Sequence, residues 1–187
     1  MRLFIASRFP PEVLRDLDGR VSAIRSRLPA ASWVRAEAQH LTFAFLGERE
    51  EALVEQLAQP LCSALATIPR FEASLKGCGF FPNPRHARVG WVGLDPEQQF
   101  STIARAVRDV VTKHGVELDR ADFRPHLTLM RMREGWPPSS IDLFSKTLRD
   151  HRSAPFVVDE IILFSSQLDP KGAIHTPLRT FPLAVSS

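Results

Sequence analysis

The sequence predicts an α+β fold with two pseudo-symmetric lobes, each a mainly antiparallel sheet with flanking helices. Segments with the apolar pattern of strands are separated by segments with the pattern of amphipathic helices. The strand sequence HLTFAFL at 40–46 returns in a similar form, HLTLM, at 126–130. The first begins 37 residues after Leu3 and the second 37 residues after Val89, and both anchors lie in predicted strands. This repeated order of strand, helix and HxT strand indicates one two-lobed domain spanning residues 1–187.

The first half of the chain begins with a predicted strand at 2–6, RLFIA. Pro10 and Pro11 are typical of a helix start. The helix that follows has an apolar stripe at three- and four-residue steps: Leu14, Leu17, Val21, Ile24 and Leu28. The HxT strand at 40–46 comes next and is expected to end at Gly47.

A second helix is predicted from leucines at four-residue steps: Leu53, Leu57, Leu61 and Leu65. Pro60 lies inside this pattern and should kink or split the helix. We then expect a glycine-interrupted strand at 71–81, a proline-rich loop, a strand at 88–94 and a helix over 96–113.

The end of the chain is expected to return to strands. The HxT strand at 126–130 is followed by a short helix near 140–150. Two further strands are predicted at 156–164 and around 175–183.

The composition indicates a globular, mildly basic protein. The hydrophobic fraction is 44%, the net charge is +3 and the sequence pI is about 9.3, which is compatible with a nucleic-acid partner. The first residues lack the apolar core of a signal peptide, and no apolar run approaches the ~20 residues of a membrane span. Cys62 and Cys78 form no CxxC pair and have no zinc-like histidine spacing, so we expect reduced thiols. These features predict a cytoplasmic monomer.

The two HxT strands each point a histidine and a threonine to one face, because residues i and i+2 of a strand share a face. His40 and Thr42 form the first pair, and His126 and Thr128 form the second. The residues expected to point the other way in the first strand, into a core, are Leu41, Phe43 and Phe45. If the two strands face each other, two imidazoles and two hydroxyls meet in one cleft between the lobes.

This set of side chains suits phosphodiester cleavage without a cofactor or a metal. One imidazole can act as a base and the other, protonated, as an acid, because histidine titrates near neutral pH. Threonine hydroxyls can donate hydrogen bonds to phosphate oxygens. Six histidines and eight threonines give about 0.3 HxT matches by chance, so two matches at repeat-equivalent places favour function. A metal site is disfavoured because two histidines without a nearby carboxylate are too few ligands.

Further candidates surround the second motif. The arginines of this region are Arg120, Arg124, Arg131 and Arg133, which are interpreted as phosphate contacts or as solvated surface. Strand parity turns Arg131 away from His126 unless the strand ends or twists at Met130. Phe45 and Phe81 are candidates for base stacking, although core packing is favoured for Phe45. A loop cluster is interpreted as surface, with RNA backbone contact as the alternative: Arg85, His86 and Arg88.

The motifs carry a family resemblance. HLTFAFLGE and RPHLTLMR resemble the two HxTx signatures of the two-histidine (2H) phosphoesterases. More narrowly, the chain resembles the bacterial RNA 2′,3′-cyclic phosphodiesterases, also called 2′-5′ RNA ligases (LigT-like). The similarity extends over nearly the whole chain through MRLFIA, WVRAEAQHLTFAFLGE, FPNPRHARVGWVG and LFSSQLDPKGAIHTPLRTFPL.

The resemblance implies a bilobal fold and metal-independent hydrolysis of a terminal 2′,3′-cyclic phosphate on RNA to a 2′-phosphate. His40 and His126 would be the catalytic pair, with Thr42, Thr128 and Arg131 binding phosphate. We expect His40 to protonate the leaving 3′-oxygen and His126 to activate water, although strand parity also permits the reverse. The resemblance further implies reversible 2′-5′ joining of RNA ends, RNA partners with tRNA fragments among the candidates, no cofactor and no membrane.

One departure from the family pattern concerns His175, in GAIHTPL, which stands where many relatives have a tyrosine. Substrate affinity or base preference should differ if that ring contacts substrate, and a third titrating group in the cleft is a further hypothesis. Two other functions stay open. One is a phosphodiesterase for a small cyclic nucleotide or a 2′-5′ oligonucleotide, which the modest net charge allows. The other is a non-catalytic RNA-binding module, for which arginine and lysine would serve better than paired histidines.

Overall fold

Two antiparallel sheets frame the computed structural model, which describes residues 1–119, 122–169 and 172–185. The strands are β1 (Arg2–Ser7), β2 (Ser32–Trp33), β3 (Leu41–Glu48), β4 (Phe71–Phe81), β5 (Val89–Asp95), β6 (His126–Arg131), β7 (Phe156–Val158), β8 (Glu160–Asp169) and β9 (Gly172–Pro182). The helices are α1 (Pro11–Arg25), α2 (Ala52–Leu65), α3 (Glu97–Lys113) and α4 (Pro138–Leu148). The predicted α+β class and the predicted repeat order β1–α1–β3 and β5–α3–β6 are confirmed.

The two HxT strands lie at the junction of the sheets. The first sheet has the order β3-β1-β8-β9, and the second has the order β2-β6-β5-β4-β7. All neighbouring strands in both sheets are antiparallel. β3 is an edge strand of its sheet and contacts β6 of the other sheet. The cleft predicted between the lobes therefore forms where β3 and β6 approach each other.

The halves of the chain exchange secondary structure between the lobes. α3 follows a strand of the second sheet but packs on α2 and on β3 of the first sheet. α1 follows a strand of the first sheet but packs on α4, which contacts β4 of the second sheet. β2, from the first half, pairs with β6. These exchanges bring most buried apolar side chains of both lobes into one core cluster.

Two sequence predictions require correction. The apolar run predicted as one strand at 156–164 is two strands, because the chain leaves β4 after Val158 and pairs with β1 and β9 from Glu160 onward. An apolar run shows burial but not a change of partner. α2 is continuous through Pro60 and does not split. Its buried leucine stripe, which packs on the core, offsets the backbone hydrogen bond that the proline removes.

A smaller apolar cluster lies outside the main core on β1 and β8. It consists of Phe4, Ala6, Ile162 and Phe164, which alternate with residues of the main core along their strands. Phe4 also lines the cleft, so this cluster backs the cleft-facing side of the first sheet. Among the described residues, no helix is long and apolar enough to cross a membrane.

Candidate active site

A cleft of about 690 Å³ lies between β3 and β6 and contains the side chains singled out in the sequence. Its lining includes both histidines and both threonines of the HxT motifs, together with two further candidates: His40, Thr42, Phe45, His126, Thr128 and Arg131. Residues from both sheets contribute to it. The structure therefore brings together in one site motifs that are 86 positions apart in the chain.

The two histidines are held by the same local hydrogen bond. Nδ1 of His40 lies 2.8 Å from the carbonyl oxygen of Ala38, and Nδ1 of His126 lies 2.7 Å from the carbonyl oxygen of Arg124. A carbonyl only accepts hydrogen bonds, so each Nδ1 carries a proton and donates it. In the neutral imidazole the lone pair is then on Nε2. This arrangement fixes the same tautomer in both rings and leaves the lone pair of each Nε2 available to accept a proton.

Burial makes both imidazoles hard to protonate. It is the main cause that lowers the pKa of His40 to about 4, opposed by the Ala38 carbonyl and reinforced by His175, Arg131 and His126. Burial is also the main cause that lowers the pKa of His126, with Arg131 next among the causes that lower it. Arg131 acts on both histidines, as expected of a cation between them. An anionic phosphate bound here would favour the protonated form of either ring.

A bulge in β3 turns Phe45 into the cleft. Two successive residues, Phe43 and Ala44, are both buried, because the register with β1 shifts between Ile5 and Ala6. The alternation of faces is reversed beyond this point. Phe45 is therefore 58% exposed and shares the cleft with the threonine of its motif. The prediction that Phe45 packs in the core is wrong.

β6 contains a matching bulge. Leu129 and Met130 are both buried, and the register with β5 shifts between Gly90 and Trp91. The reversal brings Arg131 into the cleft, which simple strand parity would not do. The exception considered in the sequence, a strand that twists near Met130, is the case observed.

Phe45 and Arg131 occupy equivalent places in the two lobes, each five residues after the histidine of its motif. Their partners on the neighbouring strands are Phe4 and Val89. In the structure, Val89 is therefore equivalent to Phe4. The repeat predicted from the sequence aligned it with Leu3, so that prediction was wrong by one residue. At these equivalent places the first lobe presents an aromatic ring to the cleft and the second presents a guanidinium.

Aromatic rings hold each histidine, and the strand patterns did not reveal most of these contacts. The ring centre of His40 lies 4.8 Å from that of Phe4. His175 meets the His40 ring edge-on, with ring centres 5.0 Å apart and an angle of 84° between the ring planes. His126 meets Phe81 edge-on at 4.8 Å and 84°. Phe4 looked like an ordinary core residue of an apolar strand, so its position beside His40 was missed. Phe81, a candidate for base stacking, packs against His126.

The basic candidates divide between the cleft and the surface. Arg124 lines the cleft, as Arg131 does, whereas Arg133 is exposed outside it and Arg120 lies outside the described residues. Arg2, Arg35 and Arg108 also line the cleft and were not predicted. Arg35 stands five positions before His40 in the sequence, which is the signal that could have revealed it. The loop cluster at 85–88 lies outside the cleft lining, in agreement with its interpretation as surface.

Neither a metal centre nor a disulfide accompanies the cleft in the part of the chain that the structure describes. Across 1–119, 122–169 and 172–185, no three side chains of His, Cys, Asp or Glu form a group that could hold a metal ion. Cys62 and Cys78 are free thiols, as predicted, and burial raises the pKa of Cys78 to about 11.

The family model of the 2′-5′ RNA ligase superfamily matches residues 10–170. The chain belongs to this superfamily. It is 31% identical over 180 residues to an RNA 2′,3′-cyclic phosphodiesterase of Thermotoga maritima, covering 95% of this chain and 93% of the relative. A protein of the same name from Archaeoglobus fulgidus is 33% identical over 187 residues, covering 97% and 99%. The resemblance seen in the HxT motifs is thereby confirmed.

Two solved structures have the same fold as this chain. The protein TT0787 of Thermus thermophilus superposes with a TM-score of 0.81 and 28% identity, covering 100% of both chains. Escherichia coli LigT, solved with 3′-AMP, superposes with a TM-score of 0.74 and 24% identity over 97% of both chains. The bilobal architecture predicted from the sequence is that of the superfamily.

Proposed function

We propose that this protein hydrolyses the terminal 2′,3′-cyclic phosphate of RNA to a 2′-phosphate, without a metal, by paired histidine catalysis. One observation carries the proposal: His40 and His126, from separate HxT motifs, face one cleft with the same tautomer and with both Nε2 atoms available. Two relatives that align with more than nine-tenths of this chain are named RNA 2′,3′-cyclic phosphodiesterases. Their name supports a 2′,3′-cyclic phosphate on RNA as the substrate.

The reaction needs one proton taken up and one delivered. The neutral imidazole removes a proton from water while the water oxygen bonds to phosphorus. The phosphorus–O3′ bond breaks, its electron pair goes to O3′, and the protonated imidazole supplies the proton that completes the 3′-hydroxyl. Following the sequence expectation, we assign the acid to His40 and the base to His126. Because burial lowers its pKa to about 4, His40 would hold its proton near neutral pH only beside the bound phosphate anion.

The remaining candidates bind the substrate in this proposal. Thr42 and Thr128 share the cleft with the histidines and can donate hydroxyl hydrogen bonds to phosphate oxygens. Arg131 neutralises the phosphate, since its guanidinium can bond two oxygens at once. The exposed ring of Phe45 offers a stacking surface to the terminal base. The arginines that line the cleft favour RNA over a small cyclic nucleotide.

The same site would join RNA ends when an RNA 5′-hydroxyl replaces water, because cyclic phosphate hydrolysis and 2′-5′ joining share one geometry. We further take the protein to act as a cytoplasmic monomer. Its two free cysteines suit a reducing compartment.

The decisive assay uses a short RNA that ends in a 2′,3′-cyclic phosphate, with chelator present. Wild type should convert the cyclic phosphate only to a terminal 2′-phosphate. His40→Ala and His126→Ala should each lower kcat about 10²–10⁴-fold, as expected for general acid–base groups. His86→Ala, which changes an exposed histidine outside the cleft, is the matched control and should keep full activity. Loss of RNA affinity in the two alanine variants, with no turnover by wild type, would instead identify an RNA-binding module.

A sulfur substitution separates the acid from the base. When sulfur replaces the 3′-oxygen, the leaving group is a thiolate, whose conjugate acid has a pKa of about 8.5. Such a leaving group does not need a proton from the acid. The variant that lacks the acid should regain most of its rate on this substrate, whereas the variant that lacks the base should stay slow. Recovery by His126→Ala in place of His40→Ala would reverse the assigned roles.

A further inference from the structure

His175 is a third imidazole of the cleft and belongs to neither HxT motif. It lies on β9, lines the cleft, and its ring centre is 5.0 Å from that of His40 and 4.9 Å from that of Phe4. In the second lobe the corresponding edge-on partner of His126 is Phe81, a ring without polar atoms. Each of the two rings thus has one edge-on partner, but only the edge-on partner of His40 can form hydrogen bonds.

The two nitrogens of His175 have different surroundings. Nδ1 is buried and has no hydrogen-bond partner among the described residues, whereas Nε2 is the nitrogen that remains accessible at the cleft. A buried nitrogen without a partner costs free energy with or without its proton, but unpartnered buried N–H donors are rarer in folded proteins than unpartnered acceptors. Burial, with a smaller effect of Arg8, lowers the pKa of His175 and favours the neutral ring. The neutral ring therefore carries its proton on Nε2, opposite to His40 and His126.

We propose that His175 is a further substrate-binding residue, whose neutral imidazole donates its Nε2 proton to a non-bridging oxygen of the phosphate held at His40. This inference rests on the proposed function, because it takes the cyclic phosphate as the ligand. The ring centres of His40 and His175 are 5.0 Å apart, so a phosphate group within hydrogen-bond distance of His40 is also close to His175. In their neutral forms His40 and His126 present lone pairs at Nε2, and His175 adds a donor beside them.

Kinetics of three variants separate hydrogen bonding from ring packing. His175→Phe keeps an edge-on ring, as Phe81 provides for His126, but removes the donor. His175→Gln keeps an N–H near the position of Nε2 but removes the ring, and His175→Ala removes both. We expect His175→Phe to lower kcat/KM about 10-fold or more, the effect of losing a hydrogen bond to a charged group. His175→Gln should be more active than His175→Ala, and wild-type kcat/KM in His175→Phe would overturn the proposal.

Nitrogen-15 NMR of the imidazoles tests the same inference without turnover. In the free protein we expect the proton of His175 on Nε2 and the protons of His40 and His126 on Nδ1. Titration with adenosine 2′-phosphate, a product mimic, should then shift the Nε2 resonance of His175. A proton on Nδ1 of His175, or a bound ligand that leaves its Nε2 unshifted, would overturn the proposal. This readout survives a failure of the hydrolysis assay, so the two proposals can fail separately. Thermal unfolding of each variant confirms that it is folded.

Discussion

Acid should destabilise this protein through His40. The pKa of this ring is lowered from 6.5 to about 4 by burial in the cleft, whereas the unfolded chain retains the ordinary value. The unfolded state therefore binds a proton at a higher pH than the folded state. The stability contributed by neutral His40 is present above pH 6.5 and is lost as the pH falls toward 4.

The magnitude follows from the two pKa values. Each pH unit between them is worth about 1.4 kcal/mol, so the loss between pH 7 and pH 4.5 is about 2 kcal/mol. Urea unfolding at both pH values measures it for wild type and for His40→Gln, which removes the titrating group. Between pH 7 and pH 4.5, the free energy of unfolding should fall by about 2 kcal/mol less in the variant than in wild type. The urea midpoint should correspondingly fall by about 1 M less. His86→Gln, which changes an exposed histidine, should follow wild type.

Equal pH dependence in wild type and His40→Gln would refute this reasoning. It would mean that His40 is solvated well enough in the folded protein to titrate normally. The proposal that bound phosphate must supply the proton affinity of His40 would then lose its basis. Carboxylates that titrate over the same interval are common to both proteins and cancel in the comparison.

Three further outcomes are expected. Arg131→Ala should lower kcat/KM about 10-fold or more, because a cation that binds phosphate is removed. The acid limb of the pH profile should move to higher pH, because Arg131 lowers the pKa of His40 and of His126. Arg133→Ala, outside the cleft, should leave kcat/KM and the pH profile unchanged. Phe45→Ala should weaken binding of an RNA end by about 1–3 kcal/mol, measured by fluorescence anisotropy, with little change in thermal stability because the ring is 58% exposed. Gly93→Ala should lower urea stability, because an added Cβ would lie 2.7 Å from a backbone carbonyl oxygen of the neighbouring strand. Gly19→Ala, with open space in α1, should instead raise stability by about 0.5–1 kcal/mol.

Much of the fold followed from local patterns. Strands and helices bury one face each, so the period of the apolar residues predicted β1, α1, β4 and α3 within a few residues of their observed bounds. The split of the apolar run at 156–164 was missed because both strands are apolar, and only pairing with β4 or with β1 distinguishes them.

The sequence by itself determined the catalytic candidates. His40, Thr42, His126 and Thr128 follow from two repeated motifs on apolar strands, because alternation fixes their shared face before any partner strand is known. Only the tertiary structure decided that Phe45 enters the cleft. A bulge arises from register with a neighbouring strand, and hydrophobic pattern carries no information about that register.

The tertiary structure alone also decided what surrounds the rings of His40 and His126. Phe4 and Phe81 look like core residues in the sequence, and His175 lies on the last strand, far from His40 along the chain. They meet the histidines because antiparallel pairing brings distant segments side by side. The sequence thus specified the candidate groups for the chemistry. Local hydrogen bonds to Ala38 and Arg124 set the tautomers of the two histidines, and packing between strands set their burial and their pKa values.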